Sequence, residues 1–466
     1  MRHPDDHFAH LSARGDEPAS LGDALAWLDR HINLERIESG TAGRAAIPTL
    51  ERIAALLALM GDPQDTIPSV QVTGTNGKGS TTWIASALLE ANGLSVGTYT
   101  SPDLERLNER IQVNREPISD AALTQVLGAL ATLEQFMVQR DPHALRPTWF
   151  ELVTSAAFRH FSDVAVDAAV FEVGIGGRWD ATNVAHGTVA AITNVALDHT
   201  DILGSTREEI AAEKSGIIKP GAIAVVGEVD ESIVAIFERQ ARDVGAEAFW
   251  RRGEDFETER NEVAVGGRLV EIRTPGAYYE ELFIPLHGAH QGENAAVALA
   301  AAEAFFGAPL DRSVVDDAFS AVRVPGRLEV VGREPLVLID GAHNPAGAAV
   351  LASAIAEDFS GIDRIYLVIG CLRGRDPGEM LAALDPLSPE RIYCCRPPSP
   401  RSMDPKLLVE AAESFSYPAV EIEDVTEALA AALADAGPRD LVLVTGSMYT
   451  IGLARSVARR LGSVEP

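Results

Sequence analysis

A glycine-rich turn in this chain reads Gly74-Thr75-Asn76-Gly77-Lys78-Gly79-Ser80. It follows a short apolar stretch, 70–72, that is typical of a β-strand. It precedes a run, 81–91, whose apolar residues recur at helical spacing. Such a turn points several backbone N–H groups into one concavity, and the helix N-terminus adds positive potential. Because Lys78 supplies an ammonium group and Ser80 a hydroxyl, the turn predicts a cradle for the phosphates of a nucleoside triphosphate.

The spacing of this turn departs from the common phosphate loop, G-x-x-x-x-G-K-[ST]. Gly74 stands only three residues before Gly77, and Gly79 is inserted between Lys78 and the Ser80 hydroxyl. The alternative is an ordinary turn between a strand and a helix, but the lysine and the hydroxyls favour phosphate binding. The turn resembles the variant loop of the Mur ligase superfamily, and its inserted glycine resembles the branch of folylpolyglutamate and dihydrofolate synthases.

Length and composition limit the class of protein. A chain of 466 residues predicts two or three domains, and 46% hydrophobic with 23% charged residues is typical of a soluble globular protein. No uninterrupted apolar run is long enough to span a bilayer, so we expect no membrane partner. The net charge of −29 argues against nucleic-acid binding. The chain has three cysteines, which indicates a reducing compartment and hence the cytoplasm.

From residue 70 onward strand-like and helix-like segments alternate, which predicts an α/β fold with a mostly parallel sheet covered on both faces. Short alternations in 254–285 predict β-hairpins. A second alternating series after a linker predicts a smaller doubly wound, Rossmann-like domain after the P-loop-type domain. The predicted divisions are a flexible N-terminal tail (1–20), an ATP-binding P-loop ligase domain (21–322), a linker (323–333) and the C-terminal domain (334–466).

Candidate ligand-binding residues follow the predicted strands, because open α/β sheets bind ligands beyond the carboxyl ends of their strands. The buried stretch 167–173 contains Glu172, whose burial without a partner would cost several kcal/mol. A metal or a cation would balance it; the alternative is an exposed carboxylate at a frayed strand end. The stretch 189–195 leads to His199, which is either a metal ligand or a structural residue. With Ser101 these residues form a candidate metal set.

Other residues have two interpretations each. Periodicity alone favours a solvated helix face for Lys214. The aromatic helix start at 148–151 is typical of a core and alternatively forms a slot for a flat heterocycle. Arg327, in the linker, suits a phosphate clamp between domains. Asp340 follows a strand and suits a ribose, and the helix start that contains Asn294 suits an adenine edge.

Taken together, the motifs resemble those of a folylpolyglutamate synthase/dihydrofolate synthase over nearly the whole chain. The motifs are the phosphate loop, Thr100-Ser101-Pro102, Asn108-Glu109-Arg110-Ile111, 172–183, Leu197-Asp198-His199-Thr200, His290-Gln291, Gly326-Arg327-Leu328-Glu329 and 340–345. The resemblance implies a monomeric ligase that uses ATP and Mg²⁺ to add L-glutamate to dihydropteroate, to a (tetrahydro)folate or to both. The intermediate would be an acyl phosphate.

The resemblance also implies residue roles. The phosphate-binding residues would be Gly74, Thr75, Asn76, Gly77, Lys78, Gly79 and Ser80. The metal ligands would be Ser101, Glu172 and His199. The nucleotide contacts would be Asn294, Arg327 and Asp340. The catalytic set would be Lys78, Glu172, His199 and Lys214, the last carried as a carbamate. The substrate-binding set, mainly the pterin-side pocket, would be Thr148, Trp149, Phe150, Glu151, Trp179, Asp180, Ala181, His343 and Ser447.

Two positions depart from the family pattern. Asp103 stands where histidine is usual, and Trp179 stands where leucine is commoner, so the acceptor preference stays open. Three alternatives also stay open. Another Mur-type ligase would need a UDP-binding domain, and only about 70 residues precede the loop. A GTPase would need an Asn-Lys-x-Asp motif. A non-catalytic ATP-binding module would not need Glu172, His199 and Lys214 together.

Overall fold

The computed structural model describes residues 20–35, 49–141 and 145–460, so the predicted N-terminal tail lies outside the described residues except for Ser20. The strands are β1 (Ser69–Thr73), β2 (Val96–Tyr99), β3 (Ile111–Val113), β4 (Glu116–Pro117), β5 (Ala168–Glu172), β6 (Gly187–Ile192), β7 (Ile223–Val226), β8 (Ala248–Arg251), β9 (Glu257–Ala264), β10 (Gly267–Arg273), β11 (Tyr278–Ile284), β12 (Glu329–Arg333), β13 (Leu336–Ile339), β14 (Ile365–Ile369), β15 (Arg391–Cys394), β16 (Ala419–Glu421) and β17 (Leu441–Thr445).

The helices alternate with these strands. They are α1 (Leu21–Leu28), α2 (Glu51–Leu59), α3 (Lys78–Ala91), α4 (Asp120–Arg140), α5 (Trp149–Asp163), α6 (Thr200–Leu203), α7 (Arg207–Lys214), α8 (Glu231–Val244), α9 (Ala289–Phe306), α10 (Arg312–Ala321), α11 (Pro345–Asp358), α12 (Pro377–Leu384), α13 (Pro405–Ser414), α14 (Val425–Asp435) and α15 (Met448–Arg460).

The first sheet has the strand order β4-β3-β2-β5-β1-β6-β7-β8, and only β3 and β4 run antiparallel to their neighbours. Both faces are covered. In β5, Ala168 and Val170 pack with α3 and α9, whereas Ala169 and Phe171 pack with α5 on the opposite face. This is why the strand reads as a continuous apolar run. The central position of β1 places the glycine-rich turn in the middle of the carboxyl edge.

Two smaller units complete this half of the chain. Strands β9, β10 and β11 form an antiparallel sheet, which confirms the predicted hairpins. Helix α4 is long and apolar enough, by length and composition alone, to cross a membrane. Its buried leucines nevertheless pack in the core shared with α1 and α5, as in the core helix of a globular domain.

The second large sheet has the order β12-β13-β17-β14-β15-β16, with all pairs parallel except β12 with β13. Two sheets with helices on their faces confirm the predicted fold class. The predicted linker, 323–333, contains β12, a short edge strand that hydrogen bonds to β13. We therefore propose that the second domain begins at Glu329 rather than at 334. The predicted strand 189–195 is also shorter than expected and ends at Ile192.

Candidate active site

The glycine-rich turn joins β1 to α3, and its shape depends on two glycines. Gly77 caps α3 with φ at 85°, in the left-handed region that favours glycine. A Cβ atom there would lie 2.3 Å from Oδ1 of Asn294, and one on Gly74 would lie 1.8 Å from Oγ1 of Thr193. Neighbouring segments therefore approach the turn so closely that only glycine fits. The turn leads directly into the N-terminus of α3, and the backbone N–H groups at a helix N-terminus suit an anion.

The loop after β6 holds the turn in place, and sequence reasoning did not find this role. Thr193 donates from Oγ1 to the Asn76 carbonyl oxygen at 2.6 Å, and the Asn76 N–H donates to Oδ1 of Asn194 at 3.0 Å. Thr75 exchanges hydrogen bonds with the backbone of Ala196. The partners are more than 100 residues apart in sequence. Because the strand ends at Ile192, these residues are free to run alongside the turn.

Lys78 folds back over the turn. Its Nζ donates to the carbonyl oxygens of Gly74 and Thr75, each at 3.2 Å. Burial lowers the pKa of Lys78, and the negative charge of Glu172 opposes that change. A partly buried ammonium group that is held by two carbonyl oxygens is placed to meet a phosphate.

Glu172 lies at the end of β5, directly under Gly79, and is buried as predicted. One carboxylate oxygen accepts the Ser101 N–H at 3.1 Å. Burial raises the pKa of Glu172 against the opposing charges of Lys78 and Arg327. Within the described parts of the chain, no cationic side chain pairs with it within 4.0 Å. A buried carboxylate without an ion pair fits a divalent cation.

His199 itself adopts a left-handed backbone conformation, with φ at 49°, and its Nε2 lies 3.9 Å from Oδ1 of Asp198. Burial lowers the pKa of His199 to about 4, more than the charge of Asp198 raises it. The imidazole is therefore neutral at pH 7, as a metal ligand must be. Among the described residues, no three His, Cys, Asp or Glu side chains cluster as a metal site. Mg²⁺ typically takes few protein ligands and completes its shell with phosphate oxygens and water.

Lys214 corrects the expectation of a solvated helix face. Only 3% of it is exposed, and Nζ donates to the Gly74 carbonyl oxygen at 2.7 Å. Burial lowers the pKa of Lys214 to about 7, with a further contribution from the charge of Lys78. The loop before Trp179 lies over the end of α7: a Cβ on Gly177 would lie 2.7 Å from the Lys214 carbonyl oxygen. This covering loop is what the helical periodicity could not reveal.

Asp198 joins the two halves of the molecule. It accepts from Nδ2 of Asn344 at 3.0 Å and pairs with Arg375, and Nε2 of His343 lies 3.7 Å away. All three partners belong to the second sheet and its loops. Asn344 also donates to Oδ1 of Asn76 at 3.3 Å, so the second domain touches the glycine-rich turn directly.

The predicted nucleotide contacts surround this junction. Asn294 lies beside Gly77 and donates to Gln291. Arg327 is half-buried, and its charge contributes to lowering the pKa of Lys78 and opposes the rise in the pKa of Glu172. The two carboxylate oxygens of Asp340 accept hydrogen bonds from the backbone N–H groups of Leu328 and Ala342, at 2.9 and 2.8 Å. These bonds join the linker to the second domain.

Several predicted substrate-binding residues have structural contacts. Thr148 and Glu151 form a capping box at the start of α5, and Glu151 also pairs with Arg52. Asp180 caps the turn at 181–184. Trp149 is only 4% exposed. Other members of the set are Ala181, which is buried, and Ser447, which is buried and bonds to Thr450.

Three members of the set remain accessible. Phe150 is half-buried, and a Cβ on Gly174 would lie 2.7 Å from its ring. Trp179 is 49% exposed. His343 is partly exposed, and its Nδ1 lies 2.8 Å from the Gly341 carbonyl oxygen.

Two family comparisons match most of the chain. Residues 120–302 match the Mur ligase middle domain, and residues 326–448 match the glutamate ligase domain of Mur ligases. The boundary between the matched segments falls just before β12.

Individual relatives are similar over nearly their full lengths. The dihydrofolate synthase/folylpolyglutamate synthase of Mycobacterium tuberculosis is 37% identical over 478 residues, which cover 96% of this chain and 95% of the relative. A solved structure of Mycobacterium tuberculosis folylpolyglutamate synthase complexed with ADP superposes with a TM-score of 0.87 at 36% identity, covering 95% and 99% of the two chains. A solved complex named FPGS–AMPPCP–folate gives 0.77 at 31% identity, covering 94% and 98%.

Proposed function

The chain belongs to the folylpolyglutamate synthase/dihydrofolate synthase family of Mur ligases, and we propose that it joins L-glutamate to dihydropteroate, to a reduced folate or to both. It is an ATP-dependent carboxylate–amine ligase. The proposal that a carboxylate is activated by ATP at the glycine-rich turn is supported by one arrangement above all. Lys78 and Lys214 converge on the Gly74 carbonyl oxygen, with the buried carboxylate of Glu172 beneath Gly79.

The residues of this chain suit two successive steps: transfer of the γ-phosphoryl group to the acceptor carboxylate, and then transfer of the acyl group to an amine. The N–H groups of the turn and Lys78 offset charge on the γ-phosphate while an acceptor carboxylate oxygen attacks phosphorus. The new O–P bond gives an acyl phosphate, and the bond to ADP breaks. The α-amine of L-glutamate then attacks the acyl carbon, the C–N bond forms, and phosphate leaves with the electron pair of the C–O bond while the nitrogen gives up one proton to the departing phosphate.

Water must be kept from the acyl phosphate. The contacts of Asp198 with Asn344 and Arg375 hold the second domain against the turn, so they support exclusion of water during the reaction. Asn344 touches Asn76 on the same side, so domain contact and nucleotide contact involve adjacent atoms.

Ser101, Glu172 and His199 would hold Mg²⁺, which when bound neutralises phosphate charge. Asn294, Arg327 and Asp340 remain our candidates for the nucleotide. Phe150 and Trp179 are our candidates for the aromatic part of the acceptor, and His343 with Ser447 for L-glutamate. For Lys214 we propose a carbamate. We also propose a monomeric cytoplasmic enzyme without a membrane or nucleic-acid partner; the three cysteines are free and buried, in keeping with a reducing compartment.

The deciding experiment measures phosphate release from ATP with Mg²⁺ and L-glutamate, with dihydropteroate and a reduced folate in separate wells. Release in both wells supports a bifunctional enzyme, and release in only one supports a monofunctional member. A Trp179→Leu variant in parallel reports whether this exposed ring sets the preference. No release in either well would contradict the proposed acceptors and favour another Mur-type amino-acid ligase.

A further inference from the structure

Arg110 lies at the junction of the segments that surround the candidate active site. It is 2% exposed. Its Nε donates to Oδ1 of Asp103 at 2.6 Å, and its two terminal nitrogens donate to the two carboxylate oxygens of Glu35 at 2.9 and 2.8 Å. The guanidinium carbon lies over the ring of Trp149, 4.8 Å from its centroid. One buried side chain thus bonds two carboxylates and an aromatic face.

One arm of this junction leads to the metal side. Asp103 lies two residues after Ser101, whose N–H donates to Glu172. The Thr100 N–H also donates to the Arg110 carbonyl oxygen at 3.0 Å, so a backbone hydrogen bond joins the residue after β2 to the residue before β3. Fixing Asp103 therefore fixes the loop that carries Ser101 relative to Glu172.

The other arm leads to the segment 32–35. The Trp149 N–H donates to the Ile32 carbonyl oxygen at 3.0 Å, and the Glu35 carboxylate is held by Arg110. This segment exposes two large apolar side chains, Ile32 and Leu34. The hydrogen bond to Ile32 places this segment against the start of α5, which also carries the partly exposed Phe150. Exposed apolar side chains at that position suit the aromatic part of an acceptor.

We infer that Arg110 is a positioning residue that fixes the acceptor-side segment 32–35 relative to the metal-side loop 101–103. This inference rests on the proposed function for the identity of the acceptor. A guanidinium suits the task because its planar fork bonds both carboxylates at fixed angles, whereas an ammonium group does not.

The test separates the two arms by variants that keep size and remove charge. Glu35→Gln should raise the KM for the acceptor about fivefold and leave half-saturating Mg²⁺ within about twofold. Asp103→Asn should do the reverse, with about a fivefold rise in half-saturating Mg²⁺. Arg110→Lys should raise both. Arg115→Lys is the matched control: Arg115 also pairs with a glutamate, Glu90 at 2.7 Å, but at the far end of α3.

A purely structural role predicts a different result. The kcat values would fall together with the melting temperature while KM and half-saturating Mg²⁺ stayed unchanged, and this outcome would overturn the inference. Equal changes in Arg110→Lys and Arg115→Lys would overturn it too.

Amide hydrogen exchange provides a readout that does not depend on the acceptor. In Arg110→Lys we expect faster exchange in both 32–35 and 100–104, and in Arg115→Lys neither segment should change. If the wild-type enzyme uses neither dihydropteroate nor folate, the proposed acceptors fail while hydrogen exchange still decides the role of Arg110. Unchanged exchange in both segments of Arg110→Lys would overturn that role.

Discussion

Nζ of Lys214 donates a hydrogen bond to the carbonyl oxygen of Gly74 at 2.7 Å, so the end of α7 reaches the glycine-rich turn. Burial lowers the pKa of this lysine to about 7. Near neutral pH a large fraction of the amine is therefore unprotonated, which is the form that attacks CO2. The N–C bond of a carbamate forms, and one proton leaves the nitrogen.

We predict that Lys214 takes up labelled CO2. With ¹³C-bicarbonate at pH 8, a carbamate signal should appear in the ¹³C NMR spectrum of wild-type protein and of the exposed-lysine control Lys406→Met, but not of Lys214→Met. Because protonation blocks the reaction, the signal should fall as pH drops through about 7. A spectrum of wild-type protein without this signal at pH 8 would exclude the carbamate.

Replacing Lys78 should abolish ATP-dependent phosphate release. Its ammonium group is partly buried and folds over the turn, and its loss would leave γ-phosphate charge less well compensated. We expect Lys78→Ala to lower the rate at least about 100-fold. Lys406→Ala, on the exposed side of α13, should keep the wild-type rate. Full activity in a folded Lys78→Ala variant would mean that the turn does not hold the reacting phosphate.

His199 should affect the requirement for Mg²⁺. Since its imidazole is neutral at pH 7, removal takes away a metal ligand rather than a charge. We expect His199→Ala to raise half-saturating Mg²⁺ about tenfold, which corresponds to about 1.4 kcal/mol. His186→Ala is the control, because His186 is exposed and pairs with Asp65 at the surface. If the Mg²⁺ titration of His199→Ala matches that of wild type, His199 is not a ligand.

Local signals in the sequence predicted the parts of the site that depend on local structure. The parallel strands read as apolar runs because both faces are buried, and this same property predicted the burial of Glu172. The glycine-rich turn itself was recognisable because its backbone geometry needs glycine at Gly77, whereas phosphate binding there stays a prediction.

Contacts between distant segments were not predictable. Thr193 and Asn194 bond to Asn76 more than 100 residues away, and no periodicity encodes that pairing. Periodicity alone favoured a solvated face for Lys214, because it describes a helix by itself and not the loop that covers it; only the family resemblance placed Lys214 in the catalytic set. The short edge strand β12 was read as linker because five residues with a glycine and a following proline lack a strand pattern.

The bond between Asp198 and the second domain leads to the last prediction. Burial acts to raise the pKa of Asp198, but His343, His199 and Arg375 outweigh it, and the pKa lies well below its usual range. The carboxylate is therefore charged at every working pH, and Arg375 supplies a cation from the opposite domain. Removing that cation leaves a buried charge with fewer partners, which favours separation of the domains.

We expect Arg375→Met to uncouple ATP use from ligation. An acyl phosphate that is open to water is hydrolysed, so phosphate released per glutamate joined should rise above one, while the KM for ATP stays within about twofold of wild type. Small-angle scattering should show a larger radius of gyration. Arg391→Met is the control, because Arg391 pairs with Asp435 at the surface of the same domain. A one-to-one ratio with an unchanged radius would show that Asp198 and Arg375 do not hold the domains together, and the exclusion of water would then rest on the other contacts between them, such as that of Arg268 with Asp358.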